Sequence, residues 1–341
     1  MNPPAGTRRV EAHPNSTASD TGGSATSDRR GAIGLLEQAR TVTVLCHRAP
    51  DPDTVGSGLA LAIVLARRGV DVRVSFDGPT GIPDSMRDMP GREHLVPADG
   101  VHEAADLVVA VDCGGRERLG SLAACLDRAR SSLVIDHHLS NTRFGDVNVV
   151  DPSAVSTTAV LADLFDDWGV PIDAELAEPL YAGLVSDTGS FKWATPASHL
   201  LAHRLLATGI DGSTITRELL DTHPFGWLPM LAAVLRSARL LPYVGGHGLV
   251  YAVVTLDDAR HLRPAEVESV VDIVRTVGDA DVAAVLKQTI DGWAVSLRSR
   301  AAVDVSRIAV ALGGGGHRHA AGYSCTGDVS DVLRALVARM A

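Results

Sequence analysis

Apolar and polar positions alternate with two periods along this chain. Short β-branched runs (TVTVLC, DVRVSF, DLVVAVD, SSLVIDHH) read as strands, and GLALAIVLARRG between the first two has the Ala/Leu texture and spacing of a helix. That alternation predicts βαβ units building a parallel sheet buried on both faces. From about 156 to 220 the pattern turns helical, in TTAVLADLFDDWG, AELAEPLYAGLVSD and SHLLAHRLLATG, the last stopped by glycine. THPFG at Thr222–Gly226 breaks the run, and WLPMLAAVLRSARLL after it predicts one amphipathic connecting helix. Strand and helix patterns then alternate again, from GLVYAVVTL through PAEVESVVDIVRTVG, DVAAVLKQTI and GWAVSLRSR to DVLRALVARM. The expected fold is α/β with two domains. A larger parallel-sheet domain spans 31–216, a helical linker 217–241, and a smaller α/β substrate-binding domain 242–341. Residues 1–30, rich in Ser, Thr, Gly, Pro and Asn, predict a disordered tail, because they bury too little to offset the entropy of ordering.

Composition narrows what such a fold can do. The 341 residues allow two domains with real cores. Lys and Arg number 31 against 41 Asp and Glu, a formal charge of −10, which is the wrong sign for gripping long nucleic acid through many phosphates. A nucleic-acid substrate is therefore expected to be short. No run of about 18 apolar residues appears and the first residues lack the apolar core of a signal peptide, so a soluble, cytoplasmic protein with no membrane partner is expected. Four cysteines, Cys46, Cys113, Cys125 and Cys325, form no Cys-x-x-Cys pair, which sets aside zinc-ribbon and thioredoxin chemistry and points to a reducing compartment.

Acids and histidines cluster where a parallel sheet places its active site, at the carboxyl ends of strands. In LCHRAPDPDTVGSG a strand ends at Cys46 and His47, and Asp51 and Asp53 follow before a helix; two apart, these acids point to opposite sides in extended backbone and suit two different ions. Asp112 ends the apolar VVAVD run before two glycines, and its two oxygens suit a bridging role. LVIDHHLSN sets Asp136, His137 and His138 in succession, so one imidazole is free for metal while its neighbour meets substrate. Asp187 ends a helix that is otherwise largely Ala and Leu. Taken singly, each residue has an ordinary reading as a helix cap, a turn residue or, for Asp187, a partner of Lys192. Together they need cations, because four acids sharing one site repel one another. Oxygen and imidazole donors without thiolate favour octahedral manganese or magnesium over tetrahedral zinc, which leaves Cys46 and Cys113 as packing residues.

These segments resemble the four motifs of the DHH phosphoesterase superfamily, and LGGGGHRHAAGYS at 312–324 is similar to the signature of the DHH-associated C-terminal domain. In this order and length they resemble the bacterial oligoribonuclease (nanoRNase) and 3′-phosphoadenosine 5′-phosphate phosphatase subgroup, some members of which act on cyclic dinucleotides. The resemblance implies two Mn2+ ions, with Mg2+ or Co2+ tolerated. It assigns His47, Asp51 and Asp112 to one ion and Asp53, Asp112, His137 and Asp187 to the other, and with them a catalytic group of Asp112, Asp136 and His138, the last directed at the phosphate or leaving oxygen. It also makes a homodimer a natural expectation. Pro52 departs from the family, which usually has Gly between the two acids; proline fixes φ and removes an N–H.

In the second domain GGGGHRH lacks the Gly-Lys-Ser/Thr ending of a nucleoside-triphosphate loop. Gly314, Gly315 and Gly316 instead let backbone N–H groups approach a phosphate or base, with His317 and His319 as added contacts and His319 the stronger candidate. Arg298 and Arg300, two apart in SLRSR, are expected on one strand face as a clamp for a terminal phosphate. The expected substrates are short RNA, dinucleotides such as pApA and pGpG, cyclic di-AMP and nucleotide bisphosphates. The competing expectations are a manganese inorganic pyrophosphatase, against which the Gly-rich His motif argues, and a non-catalytic nucleotide sensor, which needs a broken ligand set.

Overall fold

The computed structural model describes residues 22–78, 82 and 84–340. In the first domain, α1 (Gly22–Gln38) leads into β1 (Thr41–Leu45), α2 (Pro52–Arg67) and β2 (Asp71–Ser75). β3 (Leu107–Val111), the short α3 (Ala124–Arg128), β4 (Ser131–Asp136) and β5 (Val147–Val150) come next. The five strands form one parallel sheet in the order β2-β1-β3-β4-β5. Leu45 pairs with Ala110 and Ala110 with Val134, so β1, β3 and β4 finish at one level and open onto a common edge. Strand order reverses between β1 and β3, the crevice where ligands bind in open parallel sheets.

Burial explains the uninterrupted apolar strands. Leu107, Val109 and Val111 face a core shared with α1, α2 and the helices α4 (Thr157–Asp167), α5 (Ala174–Asp187), α6 (Pro196–Leu206) and α7 (Gly212–Leu220). Val108 and Ala110 face a second cluster with Leu119, Leu122 and Cys125. The tail expected at 1–30 falls mostly outside the described residues, but its last part is corrected: α1 begins at Gly22. Ala32 and Leu36 anchor that helix in the core, and Arg29 pairs with Asp167 of α4; the polar composition of its first turns conceals this tertiary support.

The second domain begins with α8 (Trp227–Ser237), then β6 (Arg239–Leu241), β7 (Leu249–Val254), α9 (Pro264–Val274), β8 (Val282–Thr289), β9 (Gly292–Ser299), α10 (Val305–Ala311), β10 (Gly315–His317), β11 (Ala320–Cys325) and α11 (Val329–Met340). The single connecting helix expected through 241 ends at Ser237. Arg239–Leu241 instead hydrogen-bond to the edge of β7, a pairing that helical periodicity cannot register. The mixed sheet runs β10-β11-β9-β8-β7-β6, with only β7 and β8 parallel. α8 and α9 cover one face, packing Met230, Val234, Val270, Val271 and Val274 on Val250, Ala252, Val254, Ala283 and Val285 of β7 and β8. α10 and α11 cover the other face. Among the described residues the domains touch where Arg263 pairs with Asp84, where Arg275 lies 4.6 Å over the Trp193 ring, and where His317 stacks on His138.

Candidate metal centre

His47 follows β1 and is buried, and its Nε2 lies 3.4 Å from Asp51 Oδ2 and 3.4 Å from Asp112 Oδ2. Asp51 caps α2, its Oδ1 accepting from the N–H groups of Asp53 and Thr54 at 3.1 Å each, which leaves Oδ2 for the centre. Pro52 occupies the first position of α2, where its missing N–H has no helical partner to lose and its fixed φ suits the turn. Asp53 is fully buried and accepts from the N–H groups of Thr157 (2.7 Å) and Thr158 (3.0 Å) and from the Thr158 hydroxyl (2.8 Å), at the N-terminus of α4. Room for it comes from Gly183 on α5, whose added Cβ would stand 2.5 Å from Asp53 Oδ1.

Asp112, after β3, adopts a left-handed φ of 58°, a conformation that a non-glycine residue holds only at a cost. The turn aims its two oxygens in different directions. Oδ2 faces His47, while Oδ1 accepts from the Thr157 hydroxyl at 2.9 Å and lies 3.7 Å from His137 Nε2. His137 places Nδ1 3.3 Å from the Ala154 carbonyl and Nε2 3.2 Å from Asp187 Oδ2 at the end of α5. An Nδ1–H donated to Ala154 leaves a lone pair on Nε2, the tautomer a metal requires. His138 turns the other way, its Nδ1 2.7 Å from Asp136 Oδ1. Asp136 has no exposed surface and also accepts from the His137 N–H (2.8 Å) and the Asn141 amide (2.6 Å). It therefore holds the His138 ring and the backbone of the histidine pair from a fully buried position. Asn141 is a supporting residue that the sequence reading missed, because it stands in the polar run Ser140–Arg143, where nothing sets it apart from an ordinary loop.

The residues fit divalent cations on the evidence of their own chemistry. His47, Asp51 and Asp112 form one set of convergent donors and Asp53, Asp112 and His137 another, each with ligand atoms within 4.8 Å of one another, and Asp112 belongs to both. His137 Nε2 is buried without a hydrogen-bond partner, as a coordinating nitrogen would be. Burial among Asp187 and Asp112 pushes Asp53 well above its ordinary range, and burial likewise raises Asp187, to about 6. Burial opposes charge on His47 and His137, but the surrounding carboxylates overcome it and raise them to about 10 and about 11. Such mutual compensation is what a cation replaces. Burial also raises the Cys46 thiol to about 12, so sulfur stays protonated and outside the donor set.

The second domain brings one of its two motif histidines to the centre. His317, not His319, reaches the centre: its ring stacks on His138 at 4.3 Å between centroids and lies 4.9 Å from His137. Burial, with His138 and His137 alongside, lowers His317 to about 4. His319 turns back onto Ser299, its Nδ1 2.9 Å from the hydroxyl. Gly314, Gly315 and Gly316 lead into and form β10; Gly316 has φ 135° and Gly314 lies against the Gly322 carbonyl, so the loop backs tightly onto β11. Arg298 lies on β9 with Nε 4.0 Å from Asp272 Oδ1. Arg300 falls beyond the end of β9 and donates to the Val277 carbonyl at 3.2 Å, so the two arginines do not share a strand face.

A parallel sheet whose strand ends converge acids and imidazoles at its switch point, closed by a second domain bearing a Gly-rich histidine loop, defines a metal-dependent hydrolase of phosphoesters. The model of the DHH family N-terminal domain matches residues 41–184 and that of the DHHA1 domain residues 246–341, and the chain belongs to the DHH family. Among its relatives, the bifunctional oligoribonuclease and PAP phosphatase NrnA of Thermus thermophilus is 32% identical over 289 residues, 84% of each chain. The cyclic-di-AMP phosphodiesterase GdpP of Bacillus subtilis is 23% identical over 323 residues, 89% of this chain and 48% of that protein. The crystal structure of an exopolyphosphatase-related protein from Bacteroides fragilis shares the fold, with a TM-score of 0.82 at 23% identity over 92% of this chain and 95% of its own. Among the described residues no helix is long and apolar enough to cross a membrane.

Proposed function

We propose that this chain is a cytoplasmic enzyme holding two manganese ions, with magnesium or cobalt tolerated, that hydrolyses dinucleotides such as pApA and pGpG to 5′-mononucleotides. On the same reading it removes the 3′-phosphate of 3′-phosphoadenosine 5′-phosphate, and cyclic di-AMP is a further candidate substrate. The observation that carries the two-ion reading is Asp112, whose oxygens face two separate donor sets. His47 and Asp51 complete one set, and Asp53, His137 and Asp187 the other. Bound there, divalent ions supply Lewis-acid polarisation of the phosphoryl oxygens and acidify water. The chain's own groups do the positioning. Asp136 and Asn141 fix His138 so that Nε2 is presented to the phosphate or leaving oxygen, and His317 packs on its ring and shields it from water. Arg298 and the Gly314–Gly316 backbone are the proposed grip on the distal nucleotide, which limits substrate length in agreement with the charge of −10. The NrnA relative in Thermus thermophilus, by its name an oligoribonuclease and PAP phosphatase, supports this reading.

The test is a panel of pApA, pGpG, cyclic di-AMP, 3′-phosphoadenosine 5′-phosphate, a 20-mer RNA and pyrophosphate with manganese-loaded protein and its Asp112→Asn variant. Turnover of the short nucleotides, and at least about a thousandfold loss in the variant, is expected. Intact dinucleotides and bisphosphate with the wild type would overturn the reading, and hydrolysis of pyrophosphate alone would replace it with a pyrophosphatase.

A further inference from the structure

The sheet of the second domain leaves part of one face uncovered by its helices, and that part borders the metal centre. Antiparallel pairing sets His317, Ala320 and Arg298 in one row and Gly315, Gly322 and Ser296 in the next, all on the face that α9 covers over β7, β8 and part of β9 but not over β10 and β11. The floor beyond α9 is thus built of glycine and alanine on β10 and β11, with Ser296 at the foot of the helix and His317 and the centre at one end. α9 forms the wall and lies along the gap between domains: Arg263 before its first turn pairs with Asp84, and Arg275 after its last lies over Trp193. Halfway along, Glu268 reaches over the sheet to Lys287 and Ser296. Lys287 is buried, breaks the apolar pattern of β8, and donates to Glu268 and, at 2.7 Å, to the Ser296 hydroxyl. The Ser296 hydroxyl in turn donates to Glu268 Oε2 at 3.0 Å. The Glu268 side chain nevertheless keeps 54% of its surface exposed.

We propose that Glu268 reads the nucleobase of the substrate nucleotide held against this floor, accepting hydrogen bonds from the edge of guanine in preference to adenine. The inference rests on the functional reading above and names the subsite that chooses among its substrates. A carboxylate repels phosphate, so it suits a neutral group that donates, and the cations and Arg298 are the groups left for phosphate. The small floor residues admit a planar ring, which a branched side chain at those positions would lift away. The hydrogen of Ser296 is committed to Glu268 and its oxygen accepts from Lys287, so the atoms offered to a ligand at the wall are acceptors. Guanine presents two adjacent donors, N1–H and N2–H, where adenine presents one donor beside an acceptor. Lys287 pins the carboxylate in one orientation, leaving less freedom to lose on binding.

The experiment compares kcat/KM for pGpG and pApA in wild type and Glu268→Gln. Gln replaces one acceptor by a donor, so the pGpG to pApA ratio is expected to fall about tenfold, the size of one mismatched hydrogen bond. A ratio cancels any loss of folded or metal-loaded protein. On the wild type alone, 5′-GMP is expected to inhibit about fivefold more tightly than 5′-AMP. A ratio unmoved in Glu268→Gln, including equal losses on both substrates as a ribose contact would give, or AMP binding as tightly as GMP, overturns the inference. Wild-type protein that cleaves neither dinucleotide overturns the functional reading instead.

Discussion

Gly183→Ala is the perturbation that best separates helix propensity from the demands of the metal centre. Gly183 lies within α5, where glycine is about 1 kcal/mol less favourable than alanine. An added Cβ would stand 2.5 Å from Asp53 Oδ1 and 2.5 Å from Thr158 Cγ2, against an ordinary carbon contact of about 3.5 Å, so something must move by on the order of 1 Å. Asp53 cannot swing aside cheaply, because three donors of α4 hold it. α5 cannot withdraw cheaply either, because its Pro179 carbonyl packs directly on Gly56 of α2. Overpacking of this kind costs about 1–3 kcal/mol, and the propensity gain offsets part of it, which leaves a net loss of about 0–2 kcal/mol. Metal binding is the more sensitive readout. A displaced ligand carboxylate is expected to weaken manganese binding by about tenfold or more, measured by titration calorimetry on chelator-stripped protein. Gly34→Ala in α1, where the new Cβ would find only Gln38 Nε2 at 3.9 Å, is the control and is expected to stabilise by up to about 1 kcal/mol in urea unfolding. If Gly183→Ala behaves like Gly34→Ala and binds manganese normally, the steric coupling between α5 and the centre is refuted.

His317→Ala is expected to raise KM for dinucleotides about tenfold through loss of the ring packed on His138, with manganese affinity within about twofold of wild type; a lost ion would show instead that His317 is itself a ligand. Asp281 accepts from the N–H groups of Ala301 (2.8 Å), Ala302 (3.0 Å) and Val303 (2.8 Å), and although burial works the other way these donors hold its carboxyl below the usual range. Because the folded value is the depressed one, its contribution is complete above the ordinary value of about 3.9 and disappears as pH falls through the lower folded value. Asp281→Asn is therefore expected to lose about 1–2 kcal/mol at pH 7, with the gap to wild type narrowing as pH falls below the ordinary carboxylate value of about 3.9 in urea titrations; a gap that does not narrow at all in acid would remove Asp281 as the source.

The parts of the centre legible in the sequence are those that strand periodicity controls. His47, Asp112 and the Asp136–His138 run each end an apolar strand, and once the strands are parallel and level their next residues must converge. Features set by turns and by the docking of the two domains left no periodic trace. Whether His317 or His319 faces the centre is decided by the turn between β10 and β11 and by where the first domain lies. Arg300 reads as the strand partner of Arg298 until the strand stops at Ser299. Lys287 did leave a signal, a lysine at the inward parity of an otherwise apolar strand, but its partner Glu268 is 19 residues away on a helix and reads there as an ordinary surface acid.

Asp53 shows why residue-by-residue alternatives mislead at such a site. As an acid just inside a helix start it reads as either a structural cap or a metal ligand, and the structure supports both at once. The Thr158 N–H and hydroxyl both engage Oδ1 and the Thr157 N–H engages Oδ2, three of the about four positions a carboxylate offers, so a lone pair on Oδ2 remains for a cation while the helix dipole stabilises the same charge. The cap fixes the carboxylate in advance, so an arriving ion has no rotamer to freeze, and the ion removes the repulsion from Asp112 and Asp187 that burial would otherwise make prohibitive. Folding of α4 onto α2 and metal binding therefore draw on one side chain, and each stabilises the other.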